Sequence, residues 1–349
     1  MAKVLDDITC VPGIFAANVQ NEEAGTGCTV IICPKGAVGG VDVRGGAPAT
    51  RETDLLRPEE TVQQLHAVVL SGGSAYGLAA SCGVAEELER RGIGLDVGVG
   101  VVPIVSSACV FDLGCGIASV RPNSQMGARA VNRALDGEAP LEQGNFGGGC
   151  GCTVGKFMGP GRAMKAGLGS SAIQNGDLVV GAVACVNACG NVVDPASGAP
   201  IAGMLSENLD GIVSEEDLLM GFGNGPSQPS SPLTGQSESE DSPMGSSPKF
   251  PRTNTTISCI ATNARLTKAQ ATKLAQMSAD AYAHAIRPTH TPNDGDTIFV
   301  MATGEVELPS DAPAMDILGT MAVRSLEQAI VNGAMKATSA YGYKAACDL

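Results

Sequence analysis

Residues 223–252 read GNGPSQPSSPLTGQSESEDSPMGSSPKFPR, and residues 253–262 continue TNTTISCIAT. Ser, Pro and Gly fill 18 of the first 30 positions. Only Leu233, Met244 and Phe250 are clearly apolar there. Such a stretch buries too little surface to offset its ordering entropy, so a flexible surface segment is expected. It ends abruptly at a Thr-led apolar run, Thr256–Thr262, that reads as a strand. The join Pro251-Arg252-Thr253-Asn254-Thr255-Thr256 is therefore where an exposed connection meets the core.

Mixed strands and helices are expected on both sides of this join. Thr26–Pro34 is a short β-rich run, and Ala37–Arg44 after it suggests a hairpin. His66–Leu70 reads as a buried strand and Ala75–Arg91 as a helix with a glutamate face. Asp177–Asn187 is an apolar strand, and Asn191–Asp194 could pair with it across Gly190. Beyond the join, Thr267–Ile286 and Pro313–Met335 have helical spacing around the strand Thr297–Ala302. Two sheets covered by helices is the coarse expectation. The chain is Gly-rich, with 46 glycines, and has no Trp, so its core must be built from small and aliphatic residues.

The charge balance narrows the function. Twenty-two basic against 36 acidic residues give a net charge of −14, which opposes nucleic-acid binding and a polybasic membrane anchor. Met1–Gln20 lacks a basic region followed by an apolar one, and a cytoplasmic location is expected. The twelve cysteines sit mostly among apolar or Gly neighbours and are read as reduced core residues. Cys150-Gly-Cys152 is too tight to pair with Cys185 and Cys189 as a structural zinc site, so no metal is expected. The Gly-rich segments 71–77 and 147–156 could cradle phosphate, but a small-residue chain produces such runs by composition alone. No cofactor is expected.

Histidine is the usual general base, and there are three, His66, His284 and His290. The first two fall in a buried strand and a helix and read as structural. A Ser, Thr or Cys at a new chain start needs no histidine, because its own α-amino group can take the proton. A cut at the join would create such a start, although composition alone leaves several hydroxyl residues open.

Six ordered blocks carry a resemblance. They are GTGCTVIICPKGAVGGVDVRGGAPATRETDLL (25–56), HAVVLSGGSAYGLAA (66–80), VPIVSSACVFDL (102–113), CTVGK with GRAMKAGLGS (152–170), NTTISCIATNARLTKAQ (254–270) and HTPNDGDTIFVMATG (290–304). Together they resemble the L-aminopeptidase/D-esterase and β-peptidyl aminopeptidase family, which includes the 6-aminohexanoate-oligomer endohydrolase. The resemblance implies an N-terminal-nucleophile hydrolase with a four-layer α/β/β/α sandwich. It implies one self-cleavage, between Asn254 and Thr255, giving an α chain (1–254) and a β chain (255–349) that stay associated as one catalytic domain. Thr255 would be the nucleophile. Asn187 matches the oxyanion donor, and Lys156 matches a lysine near the nucleophile. Asp294 and Asp296 match residues that position the new amino terminus. The plain alternatives are an Asn closing a turn, a solvated Lys, and solvated carboxylates around Gly295.

The expected activity is hydrolysis of amide bonds in small peptides or amides, by homo-oligomers of αβ units. The rivals are acyl transfer of the ornithine-acetyltransferase type and non-catalytic binding of a small ligand. Phe111 stands where some active peptidases of the family have Tyr, so their substrate preference does not carry over.

Overall fold

The computed structural model describes residues 2–137, 140–221, 254–308 and 313–349. The segment 223–252 expected to be flexible lies outside the described residues. Ten strands form one hydrogen-bonded system. They are β1 (Lys3–Leu5), β2 (Phe15–Asn21), β3 (Thr26–Val43), β4 (Thr50–Arg51), β5 (Leu65–Ser71), β6 (Val105–Cys109), β7 (Leu168–Asn175), β8 (Leu178–Asn187), β9 (Thr255–Ala264) and β10 (Thr297–Val306). The helices are α1 (Ala80–Arg90), α2 (Ser124–Asp136), α3 (Glu215–Gly221), α4 (Lys268–Ser278), α5 (Asp280–Ala285) and α6 (Ala314–Met335). Strand order is β1-β7-β8-β9-β10-β3-β5-β6-β4, with β2 on the first half of β3.

β3 joins two layers. Its first half pairs with β2 and β5, and its second half pairs with β10, from Val38 opposite Ala302 to Val43 opposite Thr297. The hairpin expected from Thr26–Pro34 and Ala37–Arg44 is therefore not formed: both runs lie in one 18-residue strand. Pro34 cannot donate to a ladder, and Gly36 at φ +78° turns the chain without reversing it. The register with β5 shifts between Ile32 and Ala37, where the strand passes from one layer to the other.

Side-chain alternation then sorts three apolar seams. Ile31, Val68, Leu70, Val183, Cys185, Ile257, Cys259 and Phe299 pack between the two sheet layers. Val30, Ile32, Val69, Val84, Leu88 and Val131 hold α1 and α2 to one outer face. Val180, Ala184, Val186, Ile260, Leu274 and Leu326 hold α4 and α6 to the other. The result is the expected four-layer α/β/β/α sandwich.

Two smaller expectations are corrected. Asn191–Val193 pairs with Pro200–Ala202 and Ile286–Arg287, not with β8. Beyond Asn187 the backbone is already committed: Cys189 O and Gly190 O accept from Lys156 N and Gly155 N. The single helix expected over Thr267–Ile286 is two, α4 and α5, meeting at Ala279. Ser278 Oγ bonds back to Leu274 O at 2.8 Å, a contact that bends helices.

Phe299 is fully buried between the sheets. Phe299→Ala should cost about 3–5 kcal/mol by urea unfolding, the usual loss for an emptied aromatic site. Phe15→Ala, on a residue 42 % exposed, should cost clearly less.

Candidate active site

Strand direction gathers the site. β9 and β10 run parallel and β8 runs antiparallel to β9, so the end of β8 and the starts of β9 and β10 share one edge. Asn187 closes β8 directly opposite Thr255, which opens β9. The turn before β10 carries Asp294, Gly295 and Asp296, and Asn254 bridges to Asp294. All five residues singled out from the sequence converge here, and all are buried.

The Thr255 hydroxyl donates to the Asn254 carbonyl oxygen, the carbonyl of its own preceding peptide. It accepts from Gly295 N at 3.2 Å. A Cβ at position 295 would stand 2.9 Å from that hydroxyl oxygen and from Ala47 O, so the approach needs glycine.

Lys156 Nζ donates to Asn187 O at 2.8 Å and to Asn187 Oδ1 at 2.9 Å. Thr153 N also donates to Asn187 Oδ1, at 3.0 Å, and Asn187 Nδ2 donates to Phe111 O at 3.0 Å. Asn187 is thus a fully buried linchpin, not a turn residue, and Lys156 is not solvated. Burial pushes the Lys156 amine down from 10.5 to about 8, against the pull of Cys152, Cys189, Asp294 and Glu215.

The two carboxylates share a pattern. Each has one oxygen held by its own turn and the other aimed at a neighbouring strand end. Asp294 Oδ2 accepts from Thr291 N at 2.9 Å and Thr291 Oγ1 at 2.5 Å, while Oδ1 accepts from Cys189 N at 3.4 Å. Asp296 Oδ2 accepts from His290 N at 3.1 Å, and Oδ1 accepts from Thr256 N at 2.7 Å. Burial, and then the neighbouring Asp296, push the Asp294 carboxyl up to about 6. Solvated carboxylates around Gly295 are not what the fold makes.

Two residues beside the site escaped the sequence reading. His290 Nδ1 lies 2.9 Å from Asp296 Oδ2. Its only signal was its place at the head of HTPNDGD. Glu215, at the start of α3, accepts from Phe157 N at 3.1 Å, and burial raises its carboxyl to about 8. Nothing in its local sequence marks it. The other histidines sit elsewhere: His66 accepts from Ile104 N in the core, and His284 pairs with Glu327 at 2.6 Å on the surface.

A cavity of about 200 Å³ opens beside Lys156, lined by Phe111, Asp112, Cys115, Thr153 and Tyr343 among others. The Gly-rich segment 71–77 is no phosphate cradle, since Gly72 N, Gly73 N and Ser74 N donate to Gly27 O, Asp112 Oδ1 and Val110 O. Nine cysteines are buried as expected, but Cys10, Cys82 and Cys347 are exposed. No helix among the described residues is long and apolar enough to cross a membrane.

Residues 6–347 match the profile of peptidase family S58. The chain belongs to this family. It is 39 % identical to an uncharacterized aminopeptidase of Mycobacterium bovis, over 97 % of this chain and 96 % of the relative. It is 31 % identical to the 6-aminohexanoate-oligomer endohydrolase of Kocuria sp., over 86 % of this chain and 75 % of that one. Among solved structures, a Burkholderia sp. beta-aminopeptidase superposes with TM-score 0.63 at 20 % identity, covering 97 % of this chain and 89 % of that one. The L-aminopeptidase D-Ala-esterase/amidase of Ochrobactrum anthropi, described as a variant of the Ntn hydrolase fold, superposes with TM-score 0.64 at 18 % identity, covering 95 % and 86 %. The sandwich of this S58 chain is thus an N-terminal-nucleophile hydrolase fold, and the family makes it a hydrolase.

The lowered Lys156 amine has a consequence for this S58 chain's stability. The unfolded chain keeps that proton up to about pH 10.5, the folded chain only to about pH 8. Between these values unfolding takes up a proton, so stability rises with pH. Wild type should gain up to about 3 kcal/mol over Lys156→Met between pH 8 and 10.5 in urea unfolding. Parallel pH curves for the two proteins would show that Lys156 titrates normally.

Proposed function

We propose that the protein is a self-processing N-terminal threonine hydrolase that cleaves amide bonds of small peptides or amides. The observation that carries the reading is the Thr255 hydroxyl, buried at the start of a central strand and held against the Asn254 carbonyl. In the first reaction the hydroxyl oxygen attacks the Asn254 carbonyl carbon. The C–N bond to Thr255 breaks, its nitrogen takes a proton, and Asn254 is left as an ester on Thr255. Water then hydrolyses the ester and frees residues 1–254 as the α chain. The β chain begins with a free Thr255 amine, whose ordinary pKa near 8 suits a base at neutral pH.

In the second reaction that amine takes the hydroxyl proton as the oxygen attacks a substrate carbonyl, giving an acyl-enzyme that water clears. The Asn187 side-chain amide is the proposed oxyanion donor, kept in place by Lys156 and Phe111. Asp294 and Asp296 favour the charged amine and orient it, while the Lys156 charge opposes this. The two chains would stay together because β9 lies between β8 and β10, and β10 between β9 and β3. The names of the relatives, aminopeptidase and oligomer endohydrolase, support amide substrates, and the modest cavity beside Lys156 supports small ones.

Denaturing mass spectrometry with N-terminal sequencing tests the first reaction. Two chains should appear, the smaller starting at Thr255, and Thr255→Ala should leave one. A Thr255→Ala chain still cut at this bond excludes Thr255 as the nucleophile. For the second reaction, Asn187→Ala should lower kcat by about 10²–10³-fold on cut protein, the usual loss of one oxyanion donor. Turnover within about threefold of wild type would reduce Asn187 to a structural post.

A further inference from the structure

We propose that His290 is a positioning residue for the reaction at Thr255, fixing Asp296 so that one carboxylate oxygen stays on the first peptide of β9. The proposal rests on the reading of Thr255 given above and adds a residue that reading does not use.

The geometry of His290 serves one acceptor. Its backbone lies in the left-handed region, φ +54°, which a non-glycine residue seldom adopts. There it presents two donors to the same oxygen: its own N–H at 3.1 Å and Nδ1 at 2.9 Å from Asp296 Oδ2. The Thr289 hydroxyl adds a third at 3.3 Å. A carboxylate oxygen accepts, so the tautomer with hydrogen on Nδ1 is the one that donates to Asp296. Nε2 is buried and has no hydrogen-bond partner among the described residues. The ring's polar contact is therefore spent on Asp296. With Oδ2 fully engaged, Oδ1 is the oxygen left to face Thr256 N at 2.7 Å.

The ring is itself braced. It stacks on Tyr282, with centroids 5.4 Å apart and planes at 24°. Tyr282 is fully buried, and its hydroxyl reaches Thr256 O at 3.1 Å and Ser258 Oγ at 2.9 Å. The two stacked rings thus control both backbone groups of Thr256: its N–H through Asp296, its C=O through Tyr282. Thr256 is the residue that follows Thr255 at the start of β9. After a cut, the new Thr255 amine would lie one residue from the same Oδ1.

Two variants of the full chain separate this role from plain packing. His290→Phe keeps a ring on Tyr282 but has no donor for Asp296. His290→Asn loses the ring but offers an amide donor near the Nδ1 position. Cutting at Asn254–Thr255 is followed by intact mass after cell-free synthesis, beside wild type and Thr255→Ala. Steady-state constants are measured on cut protein with alanine p-nitroanilide. The expected result is at least about a tenfold drop in cutting rate and kcat for His290→Phe, with KM within about twofold, and values within about threefold of wild type for His290→Asn. A His290→Phe protein as fast as wild type, or a His290→Asn protein as slow as His290→Phe, overturns the proposal. If His290→Phe does not fold, His290→Asn decides alone: a tenfold loss of kcat with unchanged thermal unfolding overturns it. A wild-type chain that stays whole removes the Thr255 reading itself, and this role with it.

Discussion

The pairing of Asn187 with Thr255 across adjacent strands is the constraint on which the site depends. It places a side-chain amide and a hydroxyl at matching ends of β8 and β9. The parallel partner β10 then brings its preceding turn, with both carboxylates, to the same edge. A register slip of one residue would send Thr255 to the helix-facing side of the sheet and break its contacts with Asn254 O and Gly295 N. The register is pinned by the two seams on either side of β9. Ile257, Cys259 and Ala261 face the other sheet, while Ile260 faces the helices. Packing of ordinary aliphatic residues, therefore, is what aims the Thr255 hydroxyl.

Around that hydroxyl the fold buries an unusual density of ionisable groups. Lys156, Asp294, Asp296 and Glu215 are all nearly inaccessible. Burial drives the lysine down and Asp294 and Glu215 up, so each is moved toward neutrality by the same cause. Such opposed shifts within one cluster are a frequent mark of acid–base sites. The cost is carried by hydrogen bonds. Lys156 has both Asn187 oxygens, Asp294 has Thr291, and Glu215 has Phe157 N.

Much of this was legible from residue order. The abrupt change from a Ser/Pro-rich run to TISCIAT marks β9 to within a residue of its start at Thr255, without choosing among the hydroxyl residues there. The apolar run ending VACVN marks β8 and Asn187. The resemblance alone implies roles for Thr255, Asn187, Lys156 and the aspartates, and local pattern leaves the last three as plain surface charges. Other parts were hidden for physical reasons. β7, LGSSAIQN, does not read as a buried strand because two of its residues are serines. Ser170 is nonetheless buried, since its hydroxyl donates to Ala182 O and accepts from Ile8 N, 162 residues away. Glu215 and His290 gain their surroundings the same way, from segments distant in sequence or from a backbone conformation no pattern announces. The bend in β3 was misread because Pro34 and Gly36 signal a reversal as readily as a change of layer.

β9 and β10 occupy the middle of the strand order, between β8 and β3. Residues 1–254 alone would leave a two-strand gap where the main layer should be continuous. Under the proposed function, the groups that cut the chain come together only after that gap has been filled from the C-terminal side. Cleavage would then act as a proofreading step on assembly: a misfolded chain would stay whole, without a free threonine amine and so without hydrolytic capacity. The cell would carry no active but half-folded hydrolase, because the same strand completes the sheet and begins with the proposed nucleophile.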